Sequence, residues 1–151
     1  MSLLLTKSCQ YAIRAIMFLA TQPENIPVLQ RDIAEILNIP NHFLGKILQQ
    51  LAKHDIVHSQ RGKSGGFTLC HHAEELTLYK IAEIVDGEKF LDGCVVGFPN
   101  CSDVNPCPVH KEWKQMKEMI IAFLQRKQIH QLSGKLEPKL EDLSNPGEHD
   151  A

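Results

Sequence analysis

The stretch Leu29-Gln30-Arg31-Asp32-Ile33-Ala34-Glu35-Ile36-Leu37-Asn38-Ile39-Pro40-Asn41-His42-Phe43-Leu44-Gly45-Lys46-Ile47-Leu48-Gln49-Gln50-Leu51 decides the fold. Ile33, Ala34 and Leu37 share one face of a short helix over residues 29–37, because they recur in steps of three and four. Asn38-Ile39-Pro40 breaks that helix, since proline cannot continue one and restricts the residue before it. Asn41 is a capping residue type. Leu44, Ile47, Leu48 and Leu51 then resume the helical period up to about His54. Beyond it the period changes. Residues 56–60 and 67–70 are strand-like and flank Arg61-Gly62-Lys63-Ser64-Gly65-Gly66, a flexible cationic hairpin tip. Helix, break, helix, hairpin is the order of a winged helix–turn–helix.

The flanks agree. Residues 6–20 carry Ile13, Ile16, Met17 and Ala20 at helical spacing and end at Thr21-Gln22-Pro23. Thr77 caps a further helix with Leu78, Ile81, Ala82 and Val85 inward, and Gly87 is a natural stop. The expected fold is therefore mainly α with a small β-hairpin wing. Residues 1–86 form the winged domain, 87–107 a loop, 108–132 one long helix and 133–151 a polar tail without fixed structure. There is no internal repeat.

A helix fits the major groove, and residues near its N-terminus reach base edges. On the second helix those exposed positions are Asn41, His42, Lys46 and Gln49. Asn and Gln pair with adenine, and Lys reaches guanine. The tip adds Arg61 and Lys63, with glycines that let the backbone approach phosphate or a narrow minor groove. The competing reading is an ordinary three-helix core with a surface hairpin, which with the cysteine loop below would be a cluster-carrying scaffold that does not bind DNA. Gly62-Lys63-Ser64 imitates the end of a phosphate-binding loop, but the required upstream glycine is Val57, which excludes nucleotide hydrolysis.

The loop holds Cys94, Cys101, Cys107 and His110 in the spacing C-x6-C-x5-C-x2-H. Thiolates are soft ligands for zinc or for iron in clusters. Structural zinc sites usually pair ligands two to four residues apart. The wider gaps here suit an iron–sulfur cluster better, with zinc, a bare thiol switch and unligated cysteines as the other readings. Cys9 and Cys70 stand apart and are expected to be bystanders, as are His42, His54, His58, His71 and His72 with respect to metal.

Pro108 suits the first turn of the long helix. Val109, Trp113, Met116, Ile120 and Phe123, widened by Met119, Ile121 and Leu124, form an apolar stripe broader than one small domain needs to cover. A second copy would bury it; the alternative is a helix folded onto its own domain.

Net charge is −2 over 151 residues, which alone argues against a nucleic-acid partner. The halves differ: residues 1–72 hold seven Lys/Arg against four acids, and residues 73–151 hold nine against fourteen. A basic front suits phosphate. No secretory leader and no bilayer-spanning run is found, so a cytoplasmic protein without a membrane partner is expected. An odd cysteine count of five in a reducing compartment argues against a disulfide framework. No nucleophile–base pair or small-molecule cofactor fingerprint points to an enzyme or to a small-molecule substrate.

Together these residues resemble the bacterial IscR-type family (IscR/NsrR/RirA-like) of winged-helix regulators over residues 3 to about 131. The likeness rests on Leu5-Thr6 with Tyr11-Ala12-Ile13-Arg14-Ala15, on Ile33-Ala34 before Ile39-Pro40, and on Phe43-Leu44 before Ile47-Leu48. Arg61-Gly62, Gly65-Gly66-Phe67 and the three-cysteine loop complete it. The resemblance implies a homodimeric transcription factor that binds double-stranded DNA and holds an iron–sulfur cluster on Cys94, Cys101 and Cys107. His110 matches the histidine that completes the 2Fe–2S site of IscR-like members. The nitric-oxide sensors of the family use an aspartate of helix one instead, and the matching position is Gln10. 2Fe–2S is favoured, with 4Fe–4S the alternative; the first cysteine gap is one residue longer than in IscR-like proteins, a departure that leaves the cluster type and the fourth ligand open.

Overall fold

The structure, a computed structural model, describes residues 4–144. Seven helices and one hairpin are found among them: α1 (Lys7–Ala20), α2 (Gln30–Leu37), α3 (Asn41–Lys53), β1 (Val57–Gln60), β2 (Gly66–Leu69), α4 (Leu78–Asp86), α5 (His110–Arg126), α6 (Ile129–Ser133) and α7 (Glu137–Ser144). A 3-10 turn, His71–Glu75, links β2 to α4.

Local chemistry explains the boundaries. Thr6 caps α1 by accepting from the Cys9 N–H, and Thr77 caps α4 by accepting from the Lys80 N–H. Asn38 ends α2 in the left-handed conformation, one that Asn tolerates better than most residues. Asn41 was expected to cap α3. It is instead the first helical residue, and Pro40 precedes it without a side-chain cap.

The wing is an antiparallel pair in the register Val57↔Leu69 to Gln60↔Gly66. Val28 adds a single bridge on the other edge of β2, exchanging two backbone hydrogen bonds with Phe67 (3.0 and 2.8 Å). That close crossing fixes Gly66: its φ is +136°, and a Cβ there would lie 2.4 Å from the Val28 carbonyl oxygen.

The core is one cluster. Ala12, Ala15 and Ile16 of α1 meet Ile33 and Leu37 of α2, Leu44, Leu48 and Leu51 of α3, and Ile81 of α4. The long helix departs from the expected 108–132. It stops at Arg126, where Lys127 turns extended. Leu78 donates to Lys127 (2.9 Å) and Ile129 donates to Leu76 (3.0 Å), which pins this break against the start of α4. The chain then re-enters the winged core through fully buried Ile129 and through Leu136.

The structureless tail expected from residue 133 is therefore corrected over 133–144. Apolar Leu136, Leu140 and Leu143 in this polar segment pack on the core cluster, and α7 lies against α2. Residues 145–151 lie outside the described ones. Among the described residues, no helix is long and apolar enough to cross a membrane.

Candidate metal centre and nucleic-acid interface

The loop of residues 87–109 leaves α4 at Gly87 and enters α5 at His110, with no regular element between. Its ends are tied together. The indole Nε1–H of Trp113 donates to the Gly93 carbonyl at 3.0 Å, and Lys117 Nζ reaches the same oxygen at 3.4 Å. The residue before Cys94 is thereby fixed to the second turn of α5.

The loop folds back so that the sulfurs of Cys94, Cys101 and Cys107 all lie within 4.8 Å of one another. His110 is not in that three-way group, but its Nδ1 lies 3.3 Å from the Cys101 sulfur. Cys94 and Cys107 approach to 3.5 Å. The donors therefore stand as two close pairs, Cys94 with Cys107 and Cys101 with His110. The Cys107 N–H also donates to the Cys101 sulfur at 3.4 Å. A second layer was not legible in the sequence. His110 Nε2 meets Asp103 Oδ1 at 2.8 Å, and Lys114 Nζ donates to Asp103 Oδ2 at 2.7 Å. The i, i+4 spacing of His110 and Lys114 was visible; nothing local marked Asp103 as their shared acceptor.

Electrostatics differ between the thiols. Desolvation opposes ionisation of Cys94, but the backbone N–H groups of Phe98, Val96 and Gly97 and the Cys107 thiol outweigh it and bring Cys94 down to about 7. Cys107 is raised: the Val109 N–H favours its thiolate, yet desolvation and the neighbouring Cys94 and Cys101 prevail. Lys114 and then His110 hold the Asp103 carboxyl below its ordinary value. Cys9 is different in kind. It is fully buried in α1, and burial with nearby Asp86 pushes it up to about 12. Cys70 is half-buried, and burial followed by Asp55 raises it. Neither joins the loop group.

The donor set is chemically that of a metal or cluster. Tetrahedral coordination with metal–sulfur bonds of about 2.3 Å spaces two sulfurs by roughly 3.8 Å, close to the Cys94–Cys107 separation of 3.5 Å.

In the winged head, Asn41, His42, Lys46 and Gln49 are all exposed on α3. His42, Lys46 and Gln49 follow i, i+4, i+7 and share one face. Asn41 is partly engaged: its carbonyl and its Oδ1 accept from Gln30 Nε2 at 2.9 and 3.2 Å. Arg61 leaves β1 into solvent, whereas Lys63 lines a surface recess that also contains Asp32.

The head is wired to the loop. Gln50 of α3 donates to the Ile84 carbonyl of α4 (3.3 Å). Asp86, the last residue of α4, accepts from the Thr6 N–H (3.1 Å) and from the Thr6 hydroxyl. Tyr11 of α1 packs edge-on against Phe43 of α3, ring centroids 5.6 Å apart.

On α5, Leu124 is buried and Trp113 is half-buried, while Met116, Met119 and Phe123 are exposed at 56%, 72% and 45%. The apolar stripe thus splits, and Trp113 and Leu124 do not belong to its outward face. One side packs on α4; the other is open.

Comparison with known proteins gives a consistent answer. The family model described as "Rrf2: Iron-dependent Transcriptional regulator" matches residues 5–135. A candidate HTH-type transcriptional regulator of Aquifex aeolicus is 30% identical over 132 residues, covering 86% of this chain and 91% of that one. The HTH-type transcriptional regulator IscR of Klebsiella pneumoniae is 29% identical over 120 residues, covering 80% and 73%. Among solved structures, CymR, the global cysteine regulator of Bacillus subtilis, superposes with a TM-score of 0.71 at 20% identity, over 89% of this chain and 98% of that one. That last likeness shows the fold.

Proposed function

The chain belongs to the Rrf2 family of transcriptional regulators, and from that premise we propose a DNA-binding homodimer whose affinity for DNA is set by an iron–sulfur cluster on Cys94, Cys101, Cys107 and His110. Proteins of this family are regulators, not enzymes. The observation that carries the cluster reading is the pairing of donors. Cys94 with Cys107 (3.5 Å) and Cys101 with His110 (3.3 Å) offer two ligands to each of two irons. The same three sulfurs lie within 4.8 Å of one another, so a single zinc ion is the competing occupant, and iron, sulfide and zinc analysis separates the two. When bound, the cluster supplies a redox-active cross-link that oxidants and cluster shortage remove.

The chain's own residues do the coupling. Cys94 follows α4 and Cys107 precedes α5, so drawing them together fixes α5 against α4. Asp86 hands that constraint to the N-cap of α1, and Gln50 hands it to α3. The exposed face of Met116, Met119 and Phe123 is the seam with a second copy. Two reading heads at fixed spacing then meet two half-sites. Asn41, His42, Lys46 and Gln49 enter the major groove, and Arg61 and Lys63 contact backbone or minor groove. Regulation requires only that the two loop states differ in DNA affinity, and each 1.4 kcal/mol of difference is about tenfold.

The test is DNA titration of the cluster-loaded protein against a Cys94/Cys101/Cys107 triple serine variant. A changed affinity or site preference supports the reading. Identical binding at every site sinks it.

A second reading has one observation behind it. The 3.5 Å Cys94–Cys107 contact places a low-lying thiolate beside a thiol. A peroxide oxidant would remove two electrons, and the two thiol protons would leave as the disulfide forms. Without a cluster the loop then works as a thiol switch.

A further inference from the structure

Asp103 accepts from two nitrogen donors at once in an exposed place. Its side chain is 66% exposed, Lys114 is 47% exposed and His110 is 16% exposed. An ion pair this wet contributes little to folding, so its geometry is the informative part. Lys114 occupies Oδ2 at 2.7 Å, leaving Oδ1 for His110 Nε2 at 2.8 Å. A carboxylate only accepts hydrogen bonds, so Nε2 carries the ring hydrogen. In a neutral imidazole the other nitrogen is then a bare lone pair, and that nitrogen is the one lying 3.3 Å from Cys101.

We propose that Asp103, anchored by Lys114, is a positioning residue that fixes the tautomer and ring orientation of His110 so that Nδ1 stands ready as the fourth donor beside the three sulfurs. This deepens the cluster reading above and rests on it for the identity of the acceptor. Ligating histidines characteristically donate their second N–H to a carboxylate, which orients the ring and raises ligand basicity. Three residues from two segments meet to do so here. Asp103 lies two positions after Cys101, and His110 and Lys114 lie one turn apart on α5.

The arrangement gives an asymmetric test. In Asp103→Asn the amide oxygen is the acceptor Lys114 prefers, which turns the amide NH2 toward Nε2. The ring must then accept at Nε2 and protonate Nδ1, which removes the donor. In Asp103→Asn/Lys114→Ala the amide is free to turn its oxygen back to Nε2. A purely structural defect would not be repaired by deleting a second side chain.

The experiment is a long-range 1H–15N correlation on full-length, reduced, cluster-free protein labelled with 15N-histidine, with His110 assigned through His110→Gln. The expected result is Nε2–H in the wild type, Nδ1–H in Asp103→Asn, and Nε2–H again in the double variant. In parallel, iron and sulfide are reconstituted anaerobically and cluster loss to a chelator is timed. Loss from Asp103→Asn should be about 10- to 100-fold faster, the usual effect of removing such an outer partner, and the double variant should recover. An unchanged tautomer and unchanged lifetime in Asp103→Asn overturn the proposal. So does a His110→Gln protein that holds its cluster as long as the wild type. If the wild type takes up no iron or sulfide while the tautomer pattern holds, the positioning role stands and the cluster reading falls.

Discussion

The sulfurs of Cys94 and Cys107 lie 3.5 Å apart although thirteen positions separate them in the chain. Closing a flexible loop of that length costs entropy, so something must hold it shut in this fold. Trp113 and Lys117 do so by both donating to Gly93. The loop is thus held closed by contacts of its own chain.

Cys94 is the thiol brought down to about 7 from an ordinary 9.0. Its thiolate is present above that value and lost as pH falls through it. In cluster-free protein Cys94 should be alkylated first by iodoacetamide, with a rate half-maximal near pH 7 and falling below it. Buried Cys9 should react last. Peptide mapping by mass spectrometry reads both, and mild peroxide should yield the Cys94–Cys107 disulfide.

Arg61→Ala should weaken binding by about 1–3 kcal/mol if Arg61 reads a base, with relaxed preference at one position. If Arg61 meets phosphate, the loss should be uniform across sequences and the salt slope should fall by about 1. Fluorescence-anisotropy titration at several salt concentrations distinguishes them. No change at all would remove the wing from the interface.

Gly66→Ala places a Cβ 2.4 Å from the Val28 carbonyl at a φ of +136°. A residue held in such a region costs of order 1–3 kcal/mol. Urea unfolding should show that loss, and the wing amides should lose protection from hydrogen exchange.

Ile129→Ala removes a fully buried side chain and should cost about 2–5 kcal/mol. Denaturant unfolding measures it. A cost near zero would mean that the segment after α5 is not part of the winged core.

Met119→Lys puts a charge on the open face of α5, where Met119 is 72% exposed. Monomer stability should be nearly unchanged, and the sedimentation coefficient should fall to that of a monomer. A dimer that survives the change and also survives Phe123→Lys would place the seam elsewhere.

The winged head was legible because its signals are local. Ile33, Leu37, Leu44, Leu48 and Leu51 declare their helices by spacing, Pro40 declares the break, and Gly66 declares the wing. The cysteine spacing likewise announced a donor set. The rest was written in long-range contacts. Lys127 looks like any helical lysine, yet its carbonyl pairs with Leu78 and ends α5 there. Leu136, Leu140 and Leu143 looked sparse within a polar tail because their partner surface lies on a core built more than a hundred residues earlier. Asp103 is an ordinary loop acid until folding brings His110 and Lys114 to either oxygen. Periodicity makes the apolar stripe of α5 one broad face and carries no mark of the side that α4 takes.

Asp86→Ala tests the wiring between loop and head. It removes the acceptor for Thr6 without touching the loop cysteines, His110 or the residues proposed to read DNA. The ratio of cluster-loaded to cluster-free DNA affinity should shrink severalfold, as substitutions along a coupling network do. An unchanged ratio would move the coupling path elsewhere.

The most direct measurement is the metal content of anaerobically purified protein: iron, acid-labile sulfide and zinc, with visible absorption and EPR spectra on the same sample. The account predicts iron and sulfide in near-equal amounts, little zinc and a spectrum of the 2Fe–2S type that is lost in the Cys94/Cys101/Cys107 triple serine variant. Stoichiometric zinc without sulfide, or a colourless protein that resists reconstitution, would contradict it.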